Sequence, residues 1–322
     1  MSELRQDIIT GEWVIFASNR RGKPYDFVRK SVPRQKDKAC PFCPGNEELT
    51  PEVIYQNGRN GEWDIRVFPN LYPAVHPENY QKDDDNFYIS AMGEGFHDVL
   101  VDTPNHDEII HDFSKEHIIN IIWILKRRFD FMKRRASVKY VQVFKNCGPE
   151  AGASINHSHW QIMGIPIVPE EQQDAIHSGK AYFEKKKKCI FCDIVEHEIK
   201  NGDRIIEENE RFIAFVPYAA KLSYEVWIMP KRHISTFSNV DAKDMVFFSD
   251  ILKHTLTRVK QIFDGICYNI CFQDMPKDEE NQPYSHWYVR VLPRMAQHEN
   301  SELEDEEYSL AHDPILYAPY NY

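Results

Sequence analysis

The chain has 322 residues, 42% of them hydrophobic and 28% charged, which is the composition of a folded globular protein of two domains or one large one. Its formal net charge of −11 argues against a general nucleic-acid surface, so any phosphate site has to be assembled locally from a few basic residues and backbone N–H groups. The opening "MSELRQDIITGEWV" lacks the apolar stretch of a signal peptide, and the longest strongly apolar run, "IINIIWIL" at 118–125, is too short to span a bilayer. A cytoplasmic protein without membrane contact is expected.

In chain order, a C-x-x-C pair, "CPFC", comes first at 40–43, followed by strand patterns in "WDIRVF" and "DVLVDTP". Ser114 is a good N-cap for a helix running to about Arg135, and the strands "KYVQVF" and "SHWQIMGI" follow. The stretch 167–188, ending in "EKKKK", reads as a helical linker with a solvated basic end. A second pair, "CIFC", opens the remainder at 189–192, before the strands "RIIEENERFIAFVP" and "LSYEVWIMP". Asp241 then caps a helix ended by Gly265, and "CYNICF" and "SHWYVRVLP" close the pattern.

The order of elements therefore repeats. His106 lies eight residues before Ser114 and His233 eight before Asp241, while His106 to His159 and His233 to His286 are both 53 residues. Repetition of whole supersecondary units points to duplication of one α+β domain, an antiparallel sheet packed by a long helix. The boundaries expected are 1–166 for the first domain, 167–188 for the linker and 189–322 for the second domain with its acidic tail.

Seven cysteines in a reducing compartment are poor evidence for disulfides. Tetrahedral zinc takes four nitrogen or sulfur ligands, and one C-x-x-C supplies two thiolates from a single turn. Cys40 and Cys43 can be completed by His106 and His157, and Cys189 and Cys192 by His233 and His286. A single such pair is equally a pair of buried small hydrophobes, or a redox couple. Two pairs followed by similarly placed histidines favour zinc at both. By spacing His286 matches His159, and Tyr284 matches His157; His286 is assigned as a ligand because the second cluster otherwise has only three.

In "SINHSHWQ" a strand would turn His157, His159 and Gln161 to one face. With His157 on a metal, His159 remains as a nucleophile or general base, unless it is simply a core histidine with its hydrogen bonds made. The preceding "FKNCGPEAGAS" has the makings of a flexible loop whose amides face a phosphate, and Gln161 can donate to a phosphoryl oxygen.

The segments "GEWVIFASNRRGKP", "CPFCPGNE", "TPNH" and "NHSHWQ" resemble the galactose-1-phosphate uridylyltransferase family of the histidine-triad superfamily, over nearly the whole chain to about residue 294. "NLYP" at 70–73 and the second C-x-x-C are closer to its ADP-glucose phosphorylase branch. The resemblance implies two tandem histidine-triad-like domains, and a homodimer with active sites near the subunit boundary. It also implies nucleotidyl transfer from a nucleotide sugar to a sugar phosphate or phosphate, through a covalent nucleotidyl-histidine. On it, His159 is the nucleophile, Gln161 bonds the transferred phosphate, Asn146 and Ser154 lie near it, Arg20 and Lys23 contact phosphate and Asn70 meets the nucleoside. A nucleotide hydrolase of the histidine-triad type and a non-enzymatic nucleotide-binding protein are the competing readings. Several positions depart from the family pattern. Ser158 replaces the proline of H-P-H and is expected to loosen the strand there. Leu71 stands where the uridylyltransferases carry Asp, His286 and Tyr288 replace a second H-x-H, and an acidic, tyrosine-rich tail replaces a glycine-rich segment.

Overall fold

The computed structural model describes residues 2–17, 40–58, 62–77, 93–262, 265 and 267–294. After a hairpin of β1 (Ser2–Gln6) and β2 (Trp13–Ala17) come β3 (Tyr55–Asn57), β4 (Ile65–Pro69) and β5 (Phe96–Val101). Helix α1 (Lys115–Lys133) then leads to β6 (Tyr140–Cys147) and β7 (His159–Ile165). Two helices, α2 (Glu170–Lys186) and α3 (Ile190–Asn201), separate these from β8 (Ile205–Glu208), β9 (Phe212–Phe215) and β10 (Val226–Pro230). Helix α4 (Ala242–Ile262), β11 (Cys267–Gln273) and β12 (Tyr288–Arg294) complete the described chain.

Ten of these strands form one antiparallel sheet in the order β3-β4-β5-β7-β6-β11-β12-β10-β9-β8. The second five mirror the first five about a central seam, where β6 pairs with β11 from Cys147–Tyr268 to Phe144–Cys271. The expected antiparallel sheets packed by long helices are thus halves of a single sheet.

Both long helices cover one face of it. The Ser114 hydroxyl accepts the His117 N–H at 3.1 Å to start α1, whose Ile118, Ile121, Ile122, Leu125, Phe129 and Met132 are buried at the three- and four-residue spacing of one helix face. At the start of α4, Asp241 Oδ1 accepts from Asp244 N at 2.7 Å and Asp244 Oδ2 from Asp241 N at 3.0 Å, a reciprocal cap. The two helices pack on each other and, with Trp160, Ile162, Val143 and Phe272 of the sheet and Trp287 just before β12, form one continuous core. Truncating one of these side chains to alanine costs about 2–5 kcal/mol.

Three elements exceed the sequence expectation. The β1–β2 hairpin is turned by Asp7, whose Oδ1 accepts from Ile9 N and Thr10 N, both at 2.8 Å. Strand β3 forms the edge of the sheet beside β4. Helix α3 begins directly after Cys189, so the second C-x-x-C lies on a helical first turn. No helix among the described residues is long and apolar enough to cross a membrane.

Candidate active site and metal centres

Two groups of four side chains converge on the sheet: Cys40, Cys43, His106 and His157, and Cys189, Cys192, His233 and His286, with ligand atoms within 4.8 Å of one another in each. In the first, Cys40 Sγ lies 3.7 Å and Cys43 Sγ 3.5 Å from His157 Nδ1, and Cys43 Sγ 3.3 Å from His106 Nδ1. In the second, the matching distances are 3.9 Å and 3.7 Å to His286 Nδ1, and 3.4 Å from Cys192 Sγ to His233 Nδ1. A tetrahedral ion with bonds of about 2.3 Å to sulfur and 2.0–2.1 Å to nitrogen sets neighbouring S and N atoms about 3.6 Å apart. Both groups have the dimensions of such a cage. His157 Nε2 donates to the Thr103 carbonyl at 2.8 Å, which fixes the tautomer that turns the Nδ1 lone pair towards the thiols. In the second group the Cys189 thiol is held well below the ordinary range, chiefly by hydrogen bonding to Cys192 and then to His233 and His286. The donor sets therefore fit a metal ion at each place.

His159 opens β7, and its ring sits edge-on to Phe42 of the first C-x-x-C turn, 5.2 Å between centroids. Its Nδ1 donates to the His157 carbonyl at 2.8 Å, which leaves Nε2 as the atom with a lone pair. The side chain is 6% exposed, and burial pushes the imidazole down to about 4, against the pull of that hydrogen bond. The ring is neutral at pH 7, the state a nucleophile needs.

The cross-strand row Phe68–Val99–Gln161–Phe144–Cys271–Arg290 places Gln161 on the sheet face opposite α1 and α4. A residue absent from the sequence argument, His97 on β5, holds the Gln161 amide. Its Nδ1 accepts the Ala74 N–H at 3.1 Å, so its Nε2 carries the proton and donates to Gln161 Oε1 at 2.8 Å. The Gln161 NH2 is thereby turned outwards as a donor. His97 also accepts the Asn70 N–H on its carbonyl at 2.8 Å and lies 3.2 Å from Asn70 Nδ2, so the "NLYP" loop is fastened to the same residue. Burial holds its pKa below the usual histidine value. The signal was the period-two pattern of His97, Val99 and Val101 on one face of the strand.

Asn146 lies on β6 at the seam, its Oδ1 accepting from Asn269 Nδ2 of the second half at 2.8 Å. Ser154 is exposed in the loop before His157. That loop is more ordered than its glycines suggested. Residues Pro149–Ala151 form a 3-10 turn, and the amides of Ala151, Gly152 and Ala153 donate within the loop, so they are not a phosphate cradle. Gly148 has φ 90°, and a side chain there would meet Cys267 Sγ at 2.2 Å. Arg20, Lys23 and the acidic tail lie outside the described residues.

The second half departs from the first at the corresponding place. Phe144 pairs with Gln161 and Cys271 with Arg290, while Phe144 pairs with Cys271 across the seam. Each final strand starts two residues after its metal-group histidine, β7 at His159 and β12 at Tyr288. In space, then, His286 corresponds to His157, Tyr288 to His159 and Arg290 to Gln161. The equal 53-residue spacing misled because the loop before β12 is two residues longer. Arg290 is locked to Glu225 at 3.0 Å and to Glu171 of α2 at 2.8 Å, so an ion-pair network fills the face that carries Gln161 in the first half.

Residues 1–169 match the family described as galactose-1-phosphate uridyl transferase, N-terminal domain, and residues 170–297 match its C-terminal domain. An ADP-glucose phosphorylase of Arabidopsis thaliana is 35% identical over 302 residues, 91% of this chain and 85% of the relative. A galactose-1-phosphate uridylyltransferase of Thermotoga maritima is 30% identical over 299 residues, 91% of this chain and 87% of the relative. Among solved structures, an Arabidopsis thaliana ADP-glucose phosphorylase with bound ADP-glucose superposes with a TM-score of 0.77 at 31% identity, covering 92% of this chain and 91% of that one.

Proposed function

The chain belongs to the galactose-1-phosphate uridylyltransferase family, and from that premise we propose that it transfers a nucleotidyl group from a nucleotide sugar by way of a covalent bond to His159. The observation that carries this reading is the paired orientation of His159 and Gln161. His159 is held by the His157 carbonyl with Nε2 available, and Gln161 is held by His97 with its NH2 outwards.

His159 Nε2 attacks the α-phosphorus of the nucleotide sugar. As the N–P bond forms, the bond from that phosphorus to the bridging oxygen breaks, and the sugar phosphate leaves with the electron pair. A phosphate oxygen of the second acceptor, free phosphate or another hexose 1-phosphate, then attacks the same phosphorus and the N–P bond breaks. Such transfer rests on positioning and on offsetting charge; Gln161 donates a hydrogen bond to the transferred phosphate, and Arg20 and Lys23 supply positive charge by resemblance. Asn70 meets the nucleoside, and Asn146 and Ser154 border the transferred group. Leu71, where the uridylyltransferases carry Asp, leaves the nucleoside end without that carboxylate and speaks against strict uridine specificity.

Zinc suits both Cys2His2 groups, where it would tie each C-x-x-C turn to the end of a strand. In the first half it would fix the backbone carrying His157, and with it the carbonyl that orients His159. The proposal extends to a cytoplasmic homodimer, and to two duplicated domains, 1–166 and 189–322, joined by 167–188.

Intact-mass measurement after incubation with ADP- and UDP-sugars tests the reading. A gain of one nucleotidyl mass, absent in His159→Ala, is expected, discharged as a nucleoside diphosphate when phosphate is added or as a nucleotide sugar when a hexose 1-phosphate is. Free nucleoside monophosphate without an acceptor would identify a hydrolase, and no adduct with any sugar nucleotide would refute the enzyme.

A further inference from the structure

Behind the strand that carries His159, on the helix side of the sheet, lies an ion pair that the transfer chemistry does not use. Lys145 of β6 is 1% exposed and Asp102, just past β5, is 0% exposed, with 2.8 Å between Nζ and Oδ2. Lys145 Nζ also donates to the Ser158 hydroxyl at 2.7 Å and to the His159 carbonyl at 3.1 Å. Asp102 donates its N–H to the Ser158 carbonyl at 3.4 Å, and its own carbonyl accepts from His117 Nε2 at 2.6 Å. Three strand ends are therefore knotted beneath the Ser158 hydroxyl and the two peptides flanking His159.

This pair is poorly explained as a stabilising contact. Ion pairs taken fully out of water recover their desolvation cost only when every polar atom is matched, and Asp102 Oδ1 has no hydrogen-bond partner among the described residues. The second half of the same sheet supplies the comparison. With Arg290 at the place of Gln161, the strand registers put Phe272 where Lys145 stands, Trp287 where Ser158 stands and Pro230 where Asp102 stands. Phe272 and Trp287 are buried with their rings 5.8 Å apart, an apolar solution at the same position. The half with Tyr288 in place of a nucleophilic imidazole closes this spot with uncharged rings. Only the half with His159 keeps charges there.

We infer that the buried Lys145–Asp102 pair is a positioning device for His159. It grips the Ser158 hydroxyl and the two peptides flanking His159 from behind, and so holds the His159 backbone where the ring's Nδ1–H meets the His157 carbonyl. This rests on the proposed role of His159 as nucleophile. It also revises the expectation that replacing proline with Ser158 loosens the chain. Ser158 is 5% exposed, and its hydroxyl gives Lys145 the handle that a proline lacks.

The test compares Lys145→Met, Lys145→Arg and the double variant Asp102→Leu/Lys145→Met, the last removing both charges together so that no lone ion is buried. Each is measured for melting temperature, metal content, KM for the nucleotide sugar and the single-turnover rate of nucleotidyl-His159 formation. The double variant is expected to keep its melting temperature, metal and KM while losing at least tenfold in rate; Lys145→Arg recovers part of it. Nitrogen-15 NMR of the histidine rings gives a readout that needs no turnover. In the wild type His159 should be a single Nδ1–H tautomer, and in the double variant a mixture. A double variant with wild-type rate and tautomer overturns the inference, as does a rate loss that merely tracks lost metal or stability. Absence of any adduct on the wild type would sink the nucleophile reading, while the tautomer comparison would still judge the clamp.

Discussion

Replacing His97 with leucine separates the architecture of the site from its chemistry. The substitution removes the acceptor of the Ala74 N–H at 3.1 Å and the donor to Gln161 Oε1 at 2.8 Å. Two hydrogen bonds at roughly 0.5–1.5 kcal/mol each, plus a buried amide oxygen left without its donor, give a destabilisation of about 2–3 kcal/mol. The effect on rate follows from orientation. Freed from His97, the Gln161 amide can rotate its oxygen towards the phosphate, losing a charge-assisted hydrogen bond worth about 1.5–3 kcal/mol in the transition state, or about 10- to 150-fold in kcat. Single-turnover formation of the nucleotidyl adduct, read beside thermal melts, separates the two effects. Gln161→Glu is the reference, because it removes the donor directly. Were His97→Leu to lose stability but transfer at the wild-type rate, Gln161 would owe its orientation to something else.

Three further outcomes are expected. Cys40→Ser should lower bound zinc by one equivalent per chain, measured by elemental analysis, and cost on the order of 3 kcal/mol or more in a denaturant melt. Cys189→Ser should remove the other equivalent and lower stability while leaving the adduct rate per folded molecule unchanged, since the second half carries Tyr288 at the place of His159. Burial depresses the folded-state pKa of His97, so between that value and about 6.5 the unfolded chain binds a proton that the native chain does not. Its contribution to stability is therefore complete above about pH 6.5 and falls as the pH drops below that, by up to about 1.4 kcal/mol per pH unit. Melts of wild type and His97→Leu at pH 7.5 and 5.5 should show the shallower slope in the variant; equal slopes would contradict the assignment.

The sequence carried the framework well because its signals were periodic or chemical. The caps at Ser114 and Asp241 lie where α1 and α4 begin, and both Cys2His2 groups assemble from residues far apart in the chain. What it could not carry was pairing. Nothing local says that β6 meets β11, and so joins two sheets into one. Equal spacing equated His286 with His159, because counting along the chain is blind to a loop two residues longer. His97 and Lys145 escaped for a related reason. Each is one of several polar residues in a mostly apolar strand, and its importance appears only once Gln161 or Asp102 arrives from elsewhere in the chain.

The seam between β6 and β11 has a consequence for how the molecule can be taken apart. A cut in α2 would leave two fragments, each with a raw strand edge of unpaired N–H and C=O groups and an apolar helix face stripped of its neighbour. Neither piece is a finished protein, so each should clump when made alone and be rescued by co-expression with the other. The half that carries Tyr288 where the other carries His159 is thus the other's missing wall, indispensable for shape.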